Sequence, residues 1–291
     1  MKFRSSLFPY LIIAPTIIYL FFLLVYPWLI TVIRSFQEYN PRLGIEPHFI
    51  GLVNYETIFS DSTFWLSIYN TGILAIFAVT IELLLGILLA SLLNRRLKFQ
   101  RFYRTAILIP MMMSPALAAI VWKLLVFPEY GVFDYILESL HLPTLLWAAS
   151  PDTALLTIGI IDIWQNTPFC VLLLLAGLQS IPLEQYEASK IDGAGIWQTF
   201  KFLTIPHLYP FIAITLLFRV VFIIRTFDVV YLLVGPYGGP NGSAMTLGLY
   251  LWYKTFLLWD LGLSSAISFV LLGVGAISTA IFIWYLYRKM E

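Results

Sequence analysis

LSIYNTGILAIFAVTIELLLGILLASLLNRRLKFQRFYR, residues 66–104, holds the reading that decides the fold. Residues 66–93 carry a single charged side chain, Glu82. Directly behind them stand Arg95, Arg96, Lys98, Arg101 and Arg104. A helix rises about 1.5 Å per residue, so about 20 apolar residues cross the hydrocarbon core of a bilayer. The run is long enough to cross, and the cations behind it mark the side on which the chain stays.

The rest of the chain repeats this pattern. Apolar stretches of spanning length lie near 8–33, 66–93, 105–127, 154–178, 207–234 and 263–287. A shorter one, 244–259, is interrupted by Lys254; it is either a seventh span or a helix at the outer surface, and the even number of spans set by the charges leaves it outside the count. The 291 residues are 60% hydrophobic and 11% charged, with a mean hydropathy of +0.87. A soluble domain carries roughly 25% charged residues. Too few charges remain to coat a globule of this size in water, so the expected class is an all-α integral membrane protein with about six transmembrane helices.

Charge placement predicts the topology. Lys2 and Arg4 precede the first span; the cluster at 95–104 follows the second; Lys190 and Lys201 lie between the fourth and fifth; Arg288 and Lys289 follow the last. These make 11 of the 17 lysines and arginines. The opposite links hold Arg34, Arg42 and Lys254 among many acids, including Glu38, Glu56, Asp61, Asp134 and Asp260. Positive charge collects on the cytoplasmic side, so both termini are expected there. The first apolar run, 7–33, exceeds the h-region of a signal peptide and reads as a retained helix. A division into 1–65 (first helix and outer loop) and 66–287 (core transmembrane domain) follows.

Several function classes drop out. A net charge of +1 gives no sign of a nucleic-acid partner. The lone Cys170 allows no internal disulfide, and His48, His141 and His207 lack ligand spacing. No P-loop, HExxH or GxSxG is present, so energy for any transport comes from a partner or a gradient. Charges inside spans are costly and mark candidates: Glu82, Asp162, Arg219, Arg225 and Asp228. Arg225 and Asp228, spaced i, i+3, are expected to face each other on one helix. They form either an internal ion pair or part of a pathway for a polar solute. Phe222, Phe227 and Tyr231 on that helix, with Trp164, Asn166 and Thr167 on the fourth, would offer ring faces and hydrogen bonds. An ion-gradient transporter using Glu82, Asp162 or Asp228 as a proton site is the alternative.

The cationic-side link 179–206 is the most informative. It reads Ser180-Ile181-Pro182-Leu183-Glu184-Gln185-Tyr186-Glu187-Ala188-Ser189-Lys190-Ile191-Asp192-Gly193-Ala194-Gly195. Ser180 suits an N-cap, Pro182 a first turn, and Gly193 a left-handed stop. A second helical run, 196–203, leads to Pro206 and Pro210. Small residues at 188, 189 and 193–195 allow another backbone to come close; an interfacial helix on lipid headgroups is the other reading.

Glu187-Ala188-Ser189, Asp192-Gly193-Ala194 and the Ile205-Pro206 ending together resemble the EAA motif of binding-protein-dependent ABC importer permeases. Ser189 replaces the usual second alanine. Gly51-Leu52-Val53-Asn54-Tyr55, Asn70-Thr71, Trp164-Gln165-Asn166-Thr167-Pro168, Leu175-Ala176-Gly177-Leu178-Gln179 and Gly238-Gly239-Pro240 are similar to carbohydrate-type members, of the maltose/trehalose and glycerol-phosphate first-permease kind. The resemblance covers most of the chain. It implies the type I ABC importer permease fold in a prokaryotic cytoplasmic (inner) membrane. Tyr186, Glu187, Ala188, Ser189, Asp192, Gly193 and Ala194 would form the coupling helix that sits in a cleft of an ABC ATPase dimer. The partners implied are that dimer, a second permease subunit and an extracytoplasmic solute-binding protein, beside the lipid membrane. The chain itself would carry no cofactor, since ATP and Mg would be bound by the partner ATPase. A sugar or sugar derivative would pass near Trp164, Asn166, Thr167, Phe222, Arg225, Asp228 and Tyr231.

Overall fold

The computed structural model describes residues 7–95 and 98–290. Lys2, Arg4 and Arg96, which contribute to the topology reading, lie outside the described residues. The helices are α1 Leu7–Leu20, α2 Tyr26–Ser35, α3 Val53–Ser60, α4 Ser62–Leu93, α5 Gln100–Met112, α6 Pro115–Leu125 and α7 Val132–Ser139. There follow α8 Pro151–Gln179, α9 Leu183–Ile191, α10 Ile196–Thr199, α11 Ile205–Ile224, α12 Asp228–Val234, α13 Leu247–Trp252 and α14 Leu261–Met290. Strands β1 Gln37–Asn40 and β2 Ile45–Phe49 form one antiparallel hairpin between α2 and α3.

Five helical stretches are long and apolar enough to cross a membrane: Ile12–Ser35, Ser62–Leu93, Pro151–Gln179, Ile196–Ile224 and Leu261–Ile281. The pair α5 and α6, bent by 94°, is long and apolar enough only when its two helices are taken together, which makes the number of crossings five or six. The straight helix expected over 105–127 is therefore broken. Pro115 has no N–H and disfavours helical geometry in the residue before it. Ser114 accordingly takes an extended conformation, and its hydroxyl accepts from the Leu117 N–H at 3.2 Å to cap α6. The carbonyl of Met113, freed at the break, accepts from Gln165 Nε2 of α8 at 3.0 Å. A broken span is stable in a membrane only where such protein groups replace the lost bonds.

The expected helix over 207–234 is also interrupted. It begins earlier, at Ile196, with a π-helical stretch Phe200–Thr204 ahead of Pro206, and ends at Ile224. Arg225 is its C-cap, and α12 starts afresh at Asp228. Stretch 244–259 is not among the helices long enough to span: α13 covers only Leu247–Trp252, and its residues Leu247–Tyr250 are buried.

The chain divides into two compact units, one taking the chain up to Ser62 together with Leu251–Gly273, the other Thr63–Tyr250 and the chain from Val274 on. A single cut at residue 65 makes no provision for the segment 251–273. In the first unit the hairpin turns through Pro41–Leu43, with Asn40 Oδ1 accepting from the Arg42 and Leu43 N–H groups. Asn40 Nδ2 and Arg42 donate to the carbonyls of Leu258 and Leu257, and Lys254 pairs with Asp61 at 3.0 Å. Asn54 ties α3 back to the carbonyls of Ser35 and Gln37.

In the second unit α8 is the most buried span. Small residues let its neighbours close in, the usual basis of helix packing in lipid. A side chain at Gly86 of α4 would meet Cys170 of α8, and one at Gly177 of α8 would meet Phe211 and Leu208 of α11. Outward faces are apolar: Ile76, Leu84 and Leu88 of α4 are all exposed. Such surfaces suit hydrocarbon, not water.

Candidate functional site

Two places on the α8 and α11 helices concentrate chemistry. The first is the link between them. α8 ends at Gln179, and Ser180 is its C-cap, its hydroxyl donating to the Gly177 carbonyl at 2.8 Å. Ser180 thus closes α8 rather than opening α9, whose N-cap is Pro182. α9 stops as expected: Gly193 has φ +79°, and the N–H groups of Gly193 and Ala194 donate to the carbonyls of Lys190 and Ser189. This is the left-handed exit that glycine permits at least cost. Gln198 Oε1 then accepts from the Gly195 N–H at 2.8 Å, opening α10.

Two hydroxyl contacts fold α9 back onto the start of the next span. Tyr186 and Thr204 hydroxyls meet at 3.3 Å, and those of Ser189 and Thr199 at 3.4 Å. Ser189, which departs from the usual alanine, has a use here that alanine lacks. Glu187, Ala188, Asp192 and Gly193 face outward and are exposed. So are Ile191 at 87% and Ile196 at 86%, with Trp197 beside them. Exposed apolar side chains on a link that is otherwise polar mark a contact surface. A groove of about 540 Å³ runs behind α9, lined by Tyr186, Ser189, Ala194, Thr199, Lys190 and Arg95.

The second place lies deeper. Arg219 of α11 is 1% exposed and reaches Glu82 of α4 through Nε (2.5 Å) and Nη2 (2.8 Å), and Asp162 of α8 through Nη2 (2.5 Å). Asn166 Nδ2 donates to the other oxygen of Asp162 at 2.9 Å. Three spanning helices are therefore joined by one guanidinium, whose planar fork suits bidentate carboxylates. Buried charges are tolerable only with such partners.

Beside this cluster is a cavity of about 300 Å³, whose wall includes Asp162, Gln165, Asn166, Arg219, Phe222, Arg225 and Asp228. Of the expected pathway residues, Asn166, Phe222, Arg225 and Asp228 line it. Trp164, Thr167 and Tyr231 do not: Trp164 packs edge-on against Trp122, and the Thr167 hydroxyl donates to the Ile163 carbonyl within α8. The expected Arg225–Asp228 pairing on one helix is corrected by the break at 225–227. Among the described residues, no ion pair joins them. Phe227, the N-cap of α12, and Tyr231 inside it likewise stand on a separate element from Phe222. The sequence reading placed Glu82, Asp162 and Arg219 inside spans but missed their union. The signal was there, because two buried acids and one buried base on three helices need one another.

The short elements that follow α11 in the chain have their own ties. Lys123 of α6 donates to the Leu232 carbonyl at 2.9 Å, a cation at the C-terminal end of α12. Asn70 holds the carbonyls of Gly242 and Met245, and Thr71 accepts from the Leu247 N–H at 2.9 Å. These fix the Gly238-Gly239-Pro240 turn, where Gly238 has φ +71° and a side chain would strike the Met245 backbone.

Five or six crossings, a helix–glycine–helix link and a cavity bearing carboxylate, amide and guanidinium groups among buried helix faces fit an integral membrane transport subunit. The family described as binding-protein-dependent transport system inner membrane component matches residues 82–291. The trehalose/maltose transport system permease protein MalF of Thermococcus litoralis is 36% identical over 92% of this chain and 90% of its own. The sulfoquinovosyl glycerol transport system permease protein SmoG of Agrobacterium fabrum is 35% identical, covering 96% and 90%. A chain of a bacterial ABC transporter involved in import of the acidic polysaccharide alginate superposes with a TM-score of 0.87 at 22% identity, over 99% of this chain and 98% of that one. The chain belongs to the binding-protein-dependent transport system inner membrane component family, with its type I ABC importer permease fold.

Proposed function

We infer that this chain is the permease through which a sugar or sugar derivative enters the cytoplasm, driven by ATP hydrolysed in a partner subunit. The carbohydrate class is supported by the names of the two relatives and by the cavity. Its amide and carboxylate groups match sugar hydroxyls, and Phe222 and Phe227 offer faces for C–H edges. The single observation that carries the coupling is the exposed α9 surface, Glu187-Ala188-Ser189 to Gly193, presented at the ends of two spans. In this reading it seats in the cleft of an ABC ATPase dimer.

In this reading both termini and the 179–206 link face the cytoplasm, following the distribution of lysine and arginine. The chain pairs with a second permease, and an external solute-binding protein delivers cargo. ATP and Mg bind to the ATPase, whose closure pushes on α9 and α10. The spans then open the cavity outward to receive the cargo, and hydrolysis returns it inward. The chain makes and breaks no covalent bond in this cycle. Substituting Glu187→Arg or Gly193→Asp tests the reading. Each variant is expected to lose both copurification of the ATPase and binding-protein-dependent uptake. Intact uptake and copurification in both would assign the coupling elsewhere.

A further inference from the structure

We propose that the groove behind α9 holds the headgroup phosphate of an anionic phospholipid, drawn from the membrane leaflet on the side of the link, and that this lipid supports α9 from behind. The lipid site stands on geometry and charge alone; its effect on transport rests on the coupling role given to α9. The groove, at about 540 Å³, is larger than the cavity beside Arg219. Leu183, Tyr186, Ser189 and Lys190 line it, a helical i, i+3, i+6, i+7 set that turns one face of α9 inward. Ala188 stands on the opposite face, so a ligand in the groove leaves the outward surface free.

The charge of the groove is one-sided. Arg95, just past α4, and Lys190 of α9 both line it, and among the described residues no carboxylate does. Neither cation is in an ion pair among the described residues. The acids of α9, Glu184 and Glu187, are exposed and outside the wall. Ser91 and Asn94 add a hydroxyl and an amide as neutral donors. Two cations and neutral donors without an anion suit a phosphate, and the guanidinium fork of Arg95 fits two of its oxygens.

The surface that leads to the groove makes this phosphate a lipid's. Leu84, Leu88 and Leu92 of α4 are exposed at four-residue spacing and form one apolar stripe. The helical turn runs on past Leu93, with the Asn94 N–H donating to the Ala90 carbonyl at 2.9 Å and the Arg95 N–H to the Leu92 carbonyl at 3.2 Å. Arg95 therefore continues the stripe as its charged end. From Leu84 to Arg95 is about 16 Å of helix, near half of the roughly 30 Å hydrocarbon core. An acyl chain lying along the stripe brings its headgroup to Arg95. Leu183, Ile196 and Phe200 give the groove apolar walls that suit the glycerol ester region and that a free phosphate leaves uncovered.

The test uses the assembled importer in vesicles of phosphatidylcholine and phosphatidylglycerol in equal parts, with a trace of phosphatidylglycerol carrying a photoreactive headgroup. Irradiation is expected to place the adduct on peptides covering 91–95 and 183–204. In Arg95→Gln/Lys190→Gln it is expected to fall about tenfold or more, since each cation near a membrane surface adds about fivefold to affinity for anionic lipid. The conservative pair Arg95→Lys/Lys190→Arg is expected to restore it, which separates lost charge from lost folding. Lys98→Gln/Arg101→Gln removes the same charge from exposed positions outside the groove and is expected to keep the adduct. The parent is expected to transport several-fold faster with phosphatidylglycerol than in phosphatidylcholine alone, a dependence that the glutamine pair lacks. An equal fall in both glutamine pairs, no recovery in the conservative pair, or equal labelling by a phosphatidylcholine probe overturns the site. Loss of the adduct on adding millimolar glycerol phosphate also overturns it and makes the groove a site for a soluble phosphate. A specific adduct with uptake indifferent to phosphatidylglycerol overturns the effect on transport. Glu187→Arg, the test of coupling, is expected to keep the adduct, so failure of that reading leaves the lipid site standing.

Discussion

At one end of the α8 and α11 pair, neutral contacts do the joining: a glycine against a phenylalanine ring, two hydroxyl pairs, and apolar side chains left uncovered. At the other end a single guanidinium is sealed from solvent and divided between two carboxylates. The first region is open, with Ile191, Ile196 and Trp197 left exposed. The second is closed and satisfied, because an unpaired charge there would cost several kcal/mol. One pair of helices thus ends in an open, uncovered surface at the link and in a closed cluster that joins three spans.

Substitutions separate the two ends by size of effect. Arg219→Ala strands two buried acids and is expected to cost about 3–5 kcal/mol, read as a large fall in the thermal unfolding midpoint of the purified importer. Stability within about 0.5 kcal/mol of the parent would mean that the cluster is not held as described. Gly193→Ala forces a side chain into left-handed backbone and is expected to cost about 1–2 kcal/mol. That cost is expected as weaker ATPase association, with detergent-solubilised permease otherwise unchanged. Ser189→Ala is the mildest. It removes the hydroxyl's bond to the Tyr186 carbonyl and its contact with Thr199, together worth about 0.5–1.5 kcal/mol, yet keeps the side chain small, so uptake is expected within about threefold of the parent. A complete loss of uptake in Ser189→Ala would show that the hydroxyl does more than bind the Tyr186 carbonyl and Thr199.

The same contrast explains what the sequence disclosed. The link is local: Glu187, Gly193 and Pro206 lie within twenty residues, and helix stops and glycine turns depend on near neighbours. Its one local error, Ser180, concerns which of two adjoining helices the residue closes. Spans were legible from hydropathy, but breaks at 113–114 and 225–227 were not. Pro115 hinted at the first, whereas the second stands at Arg225-Thr226-Phe227, with no proline or glycine to announce it. The Glu82–Arg219 contact crosses 137 positions, and no spacing rule reaches that far. Reading Arg225 against Asp228 favoured a near pair over the distant one that burial demands.

Whether an ABC ATPase drives this permease through α9 is decided by photo-crosslinking from the exposed position 188. With a photoreactive amino acid in place of Ala188, irradiation of native membranes is predicted to give an adduct with the ABC ATPase whose yield changes when ATP is trapped. An adduct with phospholipid alone, unaffected by nucleotide, would contradict the account and make α9 an interfacial helix.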